Sequence, residues 1–355
     1  MRLRNRRLRL GTLLCAAVLV VAGCGEAAPE PGATDVDRQD DQLSLAQDEG
    51  EVVWYAGLEL SLVDDIVAGF EKKTGISVDA IRLGGEEVAT RLFQESDAGV
   101  HLADVVYTGN EGNFVDFKKR DLLAPYRSAE VSHFDKAYYD EDLAYYVPYA
   151  NRFWMVYNTD LVPASEAPKS YADLADPKWN GALAVSHPGY SVGAAIVPFF
   201  WSQTPGLGLD LMDKIAANKP LINQSVHDST AAVISGERKV AVVVNDAGFY
   251  TDGKDAPVKA IYPAEGVPTS GGGVGVAKQA PHPYAARELL DYILSREGQQ
   301  IMADASRTVF RDDVKYPAGY VPPTSGDQNL YVVDPAEFAA KHDEIVTYFQ
   351  KVFGV

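Results

Sequence analysis

An α/β fold of two β/α lobes joined by two hinge strands is what this sequence predicts, and three observations carry it. The chain has 355 residues, 46% of them hydrophobic, and a single core seldom grows past roughly 250 to 300 residues. Short β-branched runs alternate with helical periodicities in two separate sets, the pattern of a mostly parallel sheet covered by helices. Between the sets lies the stretch 145–158, aromatic and nearly uncharged, with Pro148 inside it. Proline has no N–H for a sheet ladder, so it marks where one strand's pairing ends and the next, at 153–157, begins. The chain is expected to leave one lobe there and to come back near residues 257–267. Lobe 1 is then 51–147 with 264–355, and lobe 2 is 148–263.

The first residues bear on the compartment. Arginines at 2, 4, 6, 7 and 9 precede an apolar run at 13–22, too short to span a bilayer comfortably, and Val21-Ala22-Gly23-Cys24 follows. This looks like a bacterial lipoprotein signal over residues 1–23, with Cys24 as the lipid-bearing first residue of the mature chain. The other cysteine, Cys15, lies inside the leader, so the mature domain is expected to have neither disulfide nor thiol chemistry. Residues 24–50, acidic and poor in large apolar side chains, are expected to form a solvated tether. A formal net charge of −18 argues against nucleic-acid binding and against electrostatic adhesion to anionic lipid.

In lobe 1 the strand 51–56 turns at 57–59 into a helix with Leu62, Val63, Ile66, Val67 and Phe70 on one face. Lys72-Lys73-Thr74-Gly75 ends it as the helix dipole and a left-handed cap favour. A strand at 76–83 leads through Gly84-Gly85-Glu86-Glu87 into a helix to about residue 95. A strand at 103–107 leads through Thr108-Gly109-Asn110 into a helix at 114–119. In such sheets ligands sit beyond the carboxyl ends of the strands, so Gly57, Glu59, Gly85, Glu86, Gly109 and Asn110 form one candidate cleft edge.

Lobe 2 repeats the pattern: a short helix opening at Ser170, a strand at 182–185, the loop 186–191, and helices at 193–201 and 210–218. A polar loop at 223–226, a helix at 228–235 and the apolar strand 240–244, which ends in Asn245-Asp246, complete it. His187, Ser191, Gln224, Ser225, Asn245, Asp246 and Tyr250 are the facing candidates, and Arg152 and Arg82 are the candidate counter-charges to an anion. Residues 258–263 are expected to mirror the first hinge. Gly271-Gly272-Gly273 matches no phosphate-binding loop and is expected to be a flexible connector. Helices at 285–294, 297–303 and 335–353 should pack back on lobe 1.

No metal spacing and no catalytic motif occurs, and the six histidines are scattered. Ser191 with His187 is the nearest approach to a hydrolase pair. It lacks a nucleophile elbow and a third, orienting group.

These residues together resemble a family. The lipoprotein leader, Val52-Val53-Trp54-Tyr55-Ala56-Gly57, Ala103-Asp104-Val105-Val106, and Tyr146-Val147-Pro148-Tyr149-Ala150-Asn151-Arg152 contribute. So do Asp173-Leu174-Ala175-Asp176-Pro177-Lys178-Trp179-Asn180-Gly181, the most specific run, and Tyr262-Pro263-Ala264-Glu265-Gly266. Over roughly residues 51–312 the chain is similar to the extracellular solute-binding proteins of ABC importers, in the ferric-iron-binding branch of the type 2 periplasmic-binding-protein fold. The resemblance implies a monomer that is not an enzyme, needs no cofactor and hands a small solute to ABC permease subunits. It departs in one place. Iron-binding members carry Asn-x-Tyr-Tyr after the strand matching 240–244, and here Asn245-Asp246-Ala247-Gly248 stands there, with Tyr250 two residues beyond. Positions that bind the accompanying anion persist in kind: the loop 186–191, Gln224-Ser225-Val226 and Asn245. The implied ligand is an organic anion carrying phosphate, phosphonate or carboxylate, with no metal. Ferric iron is the alternative, and a polyamine or thiamine-like cation drawn by Glu59, Glu86 and Asp246 is a third.

Overall fold

The computed structural model of the chain describes residues 39–253, 255–321 and 329–355. The leader, Cys24 and the first part of the acidic segment lie outside them. After helix α1 (Gln39–Glu49), strands and helices alternate as periodicity predicts: β1 (Glu51–Ala56), α2 (Leu60–Thr74), β2 (Ser77–Arg82), α3 (Gly85–Asp97), β3 (Val105–Thr108), α4 (Gly112–Lys119) and β4 (Leu123–Ala124). β1 lies between β2 and β3, parallel to both. Leu62, Val63, Ile66 and Phe70 are the buried stripe of α2, which closes at Gly75 in a left-handed conformation, φ 76°.

The first hinge is one continuous strand, β5 (Tyr149–Asn158). It begins directly after Pro148, not at residue 153. Lobe 2 then follows as β6 (Leu183–Ser186), α5 (Val192–Gln203), α6 (Leu211–Ala217), β7 (Leu221–Asn223), α7 (Val226–Ile234), β8 (Val240–Asn245), α8 (Asp246–Asp252) and β9 (Val258–Ile261). β10 (Val267–Gly271), β11 (Gly273–Ala277), α9 (Pro283–Leu294), α10 (Arg296–Asp304), β12 (Thr308–Val309), β13 (Leu330–Val332) and α11 (Pro335–Phe353) complete the chain. The first sheet has the order β2-β1-β3-β11-β4. The second runs β13-β10-β5-β8-β6-β7, with β9 and β12 also on β5.

Four expectations are corrected. The segment taken as tether is helical from Gln39: α1 lies along α9, Ala46 is fully buried, and the Glu49 carboxylate accepts the Tyr284 and Ala285 N–H groups at 3.0 and 2.8 Å. A carboxylate at the start of a helix satisfies its open donors and its dipole, which orders a segment with little apolar surface. The return crossing is not at 258–263, where β9 pairs with the far end of β5, but at β10–β11: Gly271 pairs with Ala150 in the second sheet and Gly273 with Thr108 in the first. The three glycines there form a close backbone approach, not a flexible connector. A Cβ on Gly272 would run into the Thr108 carbonyl oxygen and the Tyr107 hydroxyl. Finally, α11 does not join lobe 1. Its Phe338 meets Phe199, and Ile345 and Phe349 enter the lobe 2 core, because α5 is apolar all round and needs cover on its second side. α11 also touches α4 of the first lobe.

Candidate functional site

Strand register brings the carboxyl edges of both sheets to one place. Thr108 ends β3 opposite Gly273, two residues along Gly271 pairs with Ala150, and three residues further up β5 Phe153 pairs with Asn245 at the end of β8. Helices α2, α3 and α4 start beyond β1, β2 and β3, and α5, α7 and α8 start beyond β6, β7 and β8. Six helix N-termini, each a source of N–H donors and partial positive charge, therefore border this junction.

On the lobe 1 side the glycines expected at strand ends meet. A Cβ on Gly57 would lie 2.8 Å from the Tyr107 carbonyl oxygen and 3.2 Å from the Gly85 Cα, and one on Gly85 3.5 Å from the Gly109 nitrogen. At position 57 only glycine allows this approach, while the contact at Gly85 is an ordinary van der Waals one. Asn110 donates its amide to Glu86 at 3.0 Å, and Arg82 donates to the Leu58 carbonyl at 3.1 Å, bracing the turn that carries Glu59.

On the lobe 2 side several candidates cap their own helices. Ser225 accepts the Asp228 N–H at 3.1 Å with Asp228 reaching back, and Asn245 accepts the Gly248 N–H at 2.9 Å. Ser191 starts α5 without a side-chain cap, and Gln224 is exposed. His187 is 6% exposed, its ring packs on Phe349 and Tyr190, and its Nδ1 accepts the Gly189 N–H at 2.9 Å. Burial pushes its pKa down, so it is neutral at pH 7. It is a packed loop residue, and no hydrogen bond joins it to the Ser191 hydroxyl.

Arg152, assigned to the cleft by its place beside the hinge, is instead in the interior. Arg152 and Asp246 are both 0% exposed, with Nε 3.6 Å from the carboxylate. The guanidinium donates to the Val321 carbonyl at 2.9 Å and lies against the Trp154 and Tyr320 rings. Asp246 also accepts the Thr308 hydroxyl at 2.6 Å and the Tyr320 hydroxyl at 3.2 Å. Tyr250, half-buried, packs against this group: its hydroxyl accepts the Val321 N–H at 3.0 Å and its ring is 4.3 Å from Tyr320. Tyr262 is pushed well above the ordinary phenol range by burial and by its hydrogen bond with Tyr250.

The arginine that does face the junction was missed. Arg307, in the link between α10 and β12, puts its Nη2 2.6 Å from the Glu59 carboxylate, with side-chain exposures of 12% and 56%. Its guanidinium is 5.5 Å from the Tyr149 ring, Tyr149 stacks on Tyr107, and Arg307 feels the charges of both Glu59 in lobe 1 and Asp246 in lobe 2. Its Nε is buried without a hydrogen-bond partner, and the Tyr107 hydroxyl lies beside Tyr149 without a well-directed bond. Burial pushes both phenols up, so they stay neutral donors. Ser306-Arg307-Thr308 carries no motif. The sole sequence signal was a lone arginine entering a short strand.

Residues 65–318 match the family described as bacterial extracellular solute-binding protein. The chain belongs to this family. A solute-binding protein named Fe(3+)-binding periplasmic protein, from Serratia marcescens, is 28% identical over 270 residues, 73% of this chain and 78% of that one. A Salmonella typhimurium relative, provisionally named a 2-aminoethylphosphonate-binding periplasmic protein, is 27% identical over 249 residues, 67% of this chain and 70% of its own. Among solved structures, iron-bound HitA from Pseudomonas aeruginosa superposes with TM-score 0.70 at 22% identity, covering 85% of this chain and 99% of HitA. AfuA from Actinobacillus pleuropneumoniae with fructose-6-phosphate bound gives 0.68 at 19%, covering 86% and 99%. The fold is the type 2 periplasmic-binding-protein fold of the ferric-binding branch. Family and fold are those of binding proteins rather than enzymes, and solute-binding proteins of this branch serve ABC importers outside the cytoplasm. Among the described residues no helix is long and apolar enough to cross a membrane, and no group of three or more His, Cys, Asp or Glu is placed to hold a metal ion.

Proposed function

We propose that the protein captures a small organic anion, a phosphorylated sugar, phosphonate or carboxylate, between its lobes and delivers it to an ABC permease. The observation that carries this reading is Arg307. A guanidinium held at the junction and paired through Nη2 with an exposed carboxylate can exchange that carboxylate for the oxygens of an anion. Helix starts on both lobes supply neutral donors for the remaining oxygens. A solute touching both lobes binds the closed state better and so drives closure. The names of the Salmonella relative and of the AfuA complex support the same ligand class.

Ferric iron is the second reading, favoured by the Serratia relative. Against it stand Asp246-Ala247-Gly248 in place of a tyrosine pair and the engagement of the Tyr250 hydroxyl with Val321. Thermal-shift measurement in the presence of chelator separates them. The protein should melt higher with fructose-6-phosphate, a phosphonate or citrate; stabilisation by ferric citrate alone, abolished by chelator, would move the assignment to iron.

Cys24, outside the described residues, is proposed to carry the lipid that holds the protein at the membrane. Cys24→Ala should shift it from the membrane fraction to the soluble fraction, and a variant that stays in the pellet would remove the anchor.

A further inference from the structure

We propose that the solute is amphiphilic, an oxyacid anion on an aromatic or branched aliphatic body, and that Tyr190, Leu60 and Val192 select that body. The inference rests on the anion reading above and deepens it. Among the described residues the two most exposed large apolar side chains are Tyr190, at 73%, and Leu60, at 60%. They lie on opposite sides of the junction. Leu60 opens α2 directly after Glu59, whose carboxylate holds Arg307 beside Tyr149. Val192, 48% exposed, opens α5 just before Gly193, where a Cβ would come 2.7 Å from the Phe153 ring. Tyr149 and Phe153 are four residues apart on one face of β5, so the two helix starts stand over positions about 13 Å apart. Tyr190 precedes Val192 in the loop after β6. Its ring rests at 4.6 Å on His187, which is buried against Phe349, so the ring is held in place while most of its surface meets water.

Single apolar side chains scattered over a surface need no explanation, whereas a group of them around one charged junction marks a binding surface. The polar side chains of the same edges argue against a hydroxylated body. Ser225 and Asn245 cap their own helices, Asn110 donates to Glu86, and Arg82 donates to the Leu58 carbonyl. Hydroxyls brought between the lobes would lose water and find these partners taken, which costs binding. A ring or branched chain has no such need. Covering it removes its own surface and that of Tyr190, Leu60 and Val192 from water together. The charge on Arg307 then orients the solute, and the apolar residues on either side set the class of body it carries.

Calorimetric titration of the full chain in chelator, with phenylphosphonate and methylphosphonate as the matched pair, tests this. The wild-type protein should bind phenylphosphonate at least about ten-fold more tightly, the gain from burying one aromatic ring. Tyr190→Ser and Leu60→Ser should each weaken phenylphosphonate by about three- to ten-fold and leave methylphosphonate within about two-fold. Both variants should melt within a few degrees of the wild type, because both side chains are exposed. Loss on the two probes alike would mean that the apolar residues close on each other rather than on the solute, and would overturn the proposal. Equal binding of the two phosphonates by the wild type, or tighter binding of fructose-6-phosphate than of phenylphosphonate, would also overturn it while leaving the anion reading standing. A response to ferric citrate alone would overturn both.

Discussion

Arg152 and Arg307 each meet a carboxylate where the two sheets join, and the surroundings of each pair decide what it does. Arg152 and Asp246 have no exposure, and a carbonyl, two hydroxyls and two aromatic rings enclose them. Arg307 is mostly buried as well, but its partner Glu59 reaches solvent. A fully buried pair is a fixed part of the hinge, since separating it leaves a charge in a medium that cannot solvate it. A pair open on one side can exchange a partner. Residue type and nearness to the hinge do not distinguish the two arginines, and burial does.

Breaking the buried pair should have the largest effect. Arg152→Met removes a buried cation from beside the Asp246 carboxylate and should cost about 3 to 5 kcal/mol, lowering the melting temperature by on the order of 10 °C in a thermal melt. A drop of only a degree or two would mean that the pair is dispensable and that Arg152 was open to a ligand after all. Breaking the open pair should act on binding instead. Arg307→Gln should weaken anion binding by roughly ten- to a hundred-fold, the loss of a charge-assisted bond, while the solute-free melt moves by no more than a few degrees.

A half-buried carboxyl sharpens the contrast, because its desolvation is managed by a proton rather than by a cation. Glu111, at the start of α4, accepts the Tyr145 hydroxyl at 3.2 Å, and burial, then the charges of Asp334 and Asp140, push its pKa to about 7. The folded chain therefore holds a proton that the unfolded chain has released between the ordinary carboxylate range and about pH 7. This contribution to stability is present at acid pH and is lost as pH rises through that window. Glu111→Gln keeps the neutral form, so the melting temperature of the variant should fall less between pH 5 and pH 8 than that of the wild type; parallel curves would contradict the assignment. The smallest effect belongs to a cap. Ser225→Ala removes the hydroxyl that accepts the Asp228 N–H and should cost about 1 kcal/mol, read as a small shift in the denaturant midpoint.

Much of the fold was legible because it rests on local pattern. The stripe Leu62, Val63, Ile66 and Phe70, the stop at Gly75 and the terminal helix Pro335–Phe353 all follow from periodicity and caps within one segment. What failed depended on distant partners. α1 is ordered by Glu49 capping a helix that begins far along the chain, and α11 went to lobe 2 because α5 offered it an apolar face. Gly271-Gly272-Gly273 looks like a loose connector until Thr108 and Tyr107 are seen against it. The site divides in the same way. The strand-end glycines and caps could be read from topology, since a β/α alternation fixes where its loops gather. Arg307 could not, because its partners Glu59, Tyr107 and Tyr149 come from three other segments and no short motif records them.

The central claim is that an anionic solute is held on Arg307 without a metal. Calorimetric titration of chelator-treated wild type and Arg307→Gln with 2-aminoethylphosphonate and fructose-6-phosphate tests it directly. The account predicts binding of at least one of the two by the wild type in chelator, and a loss of about ten-fold or more in the variant with its melting curve nearly unchanged. Equal affinity in both proteins, or binding that appears only when ferric iron is restored, would contradict it.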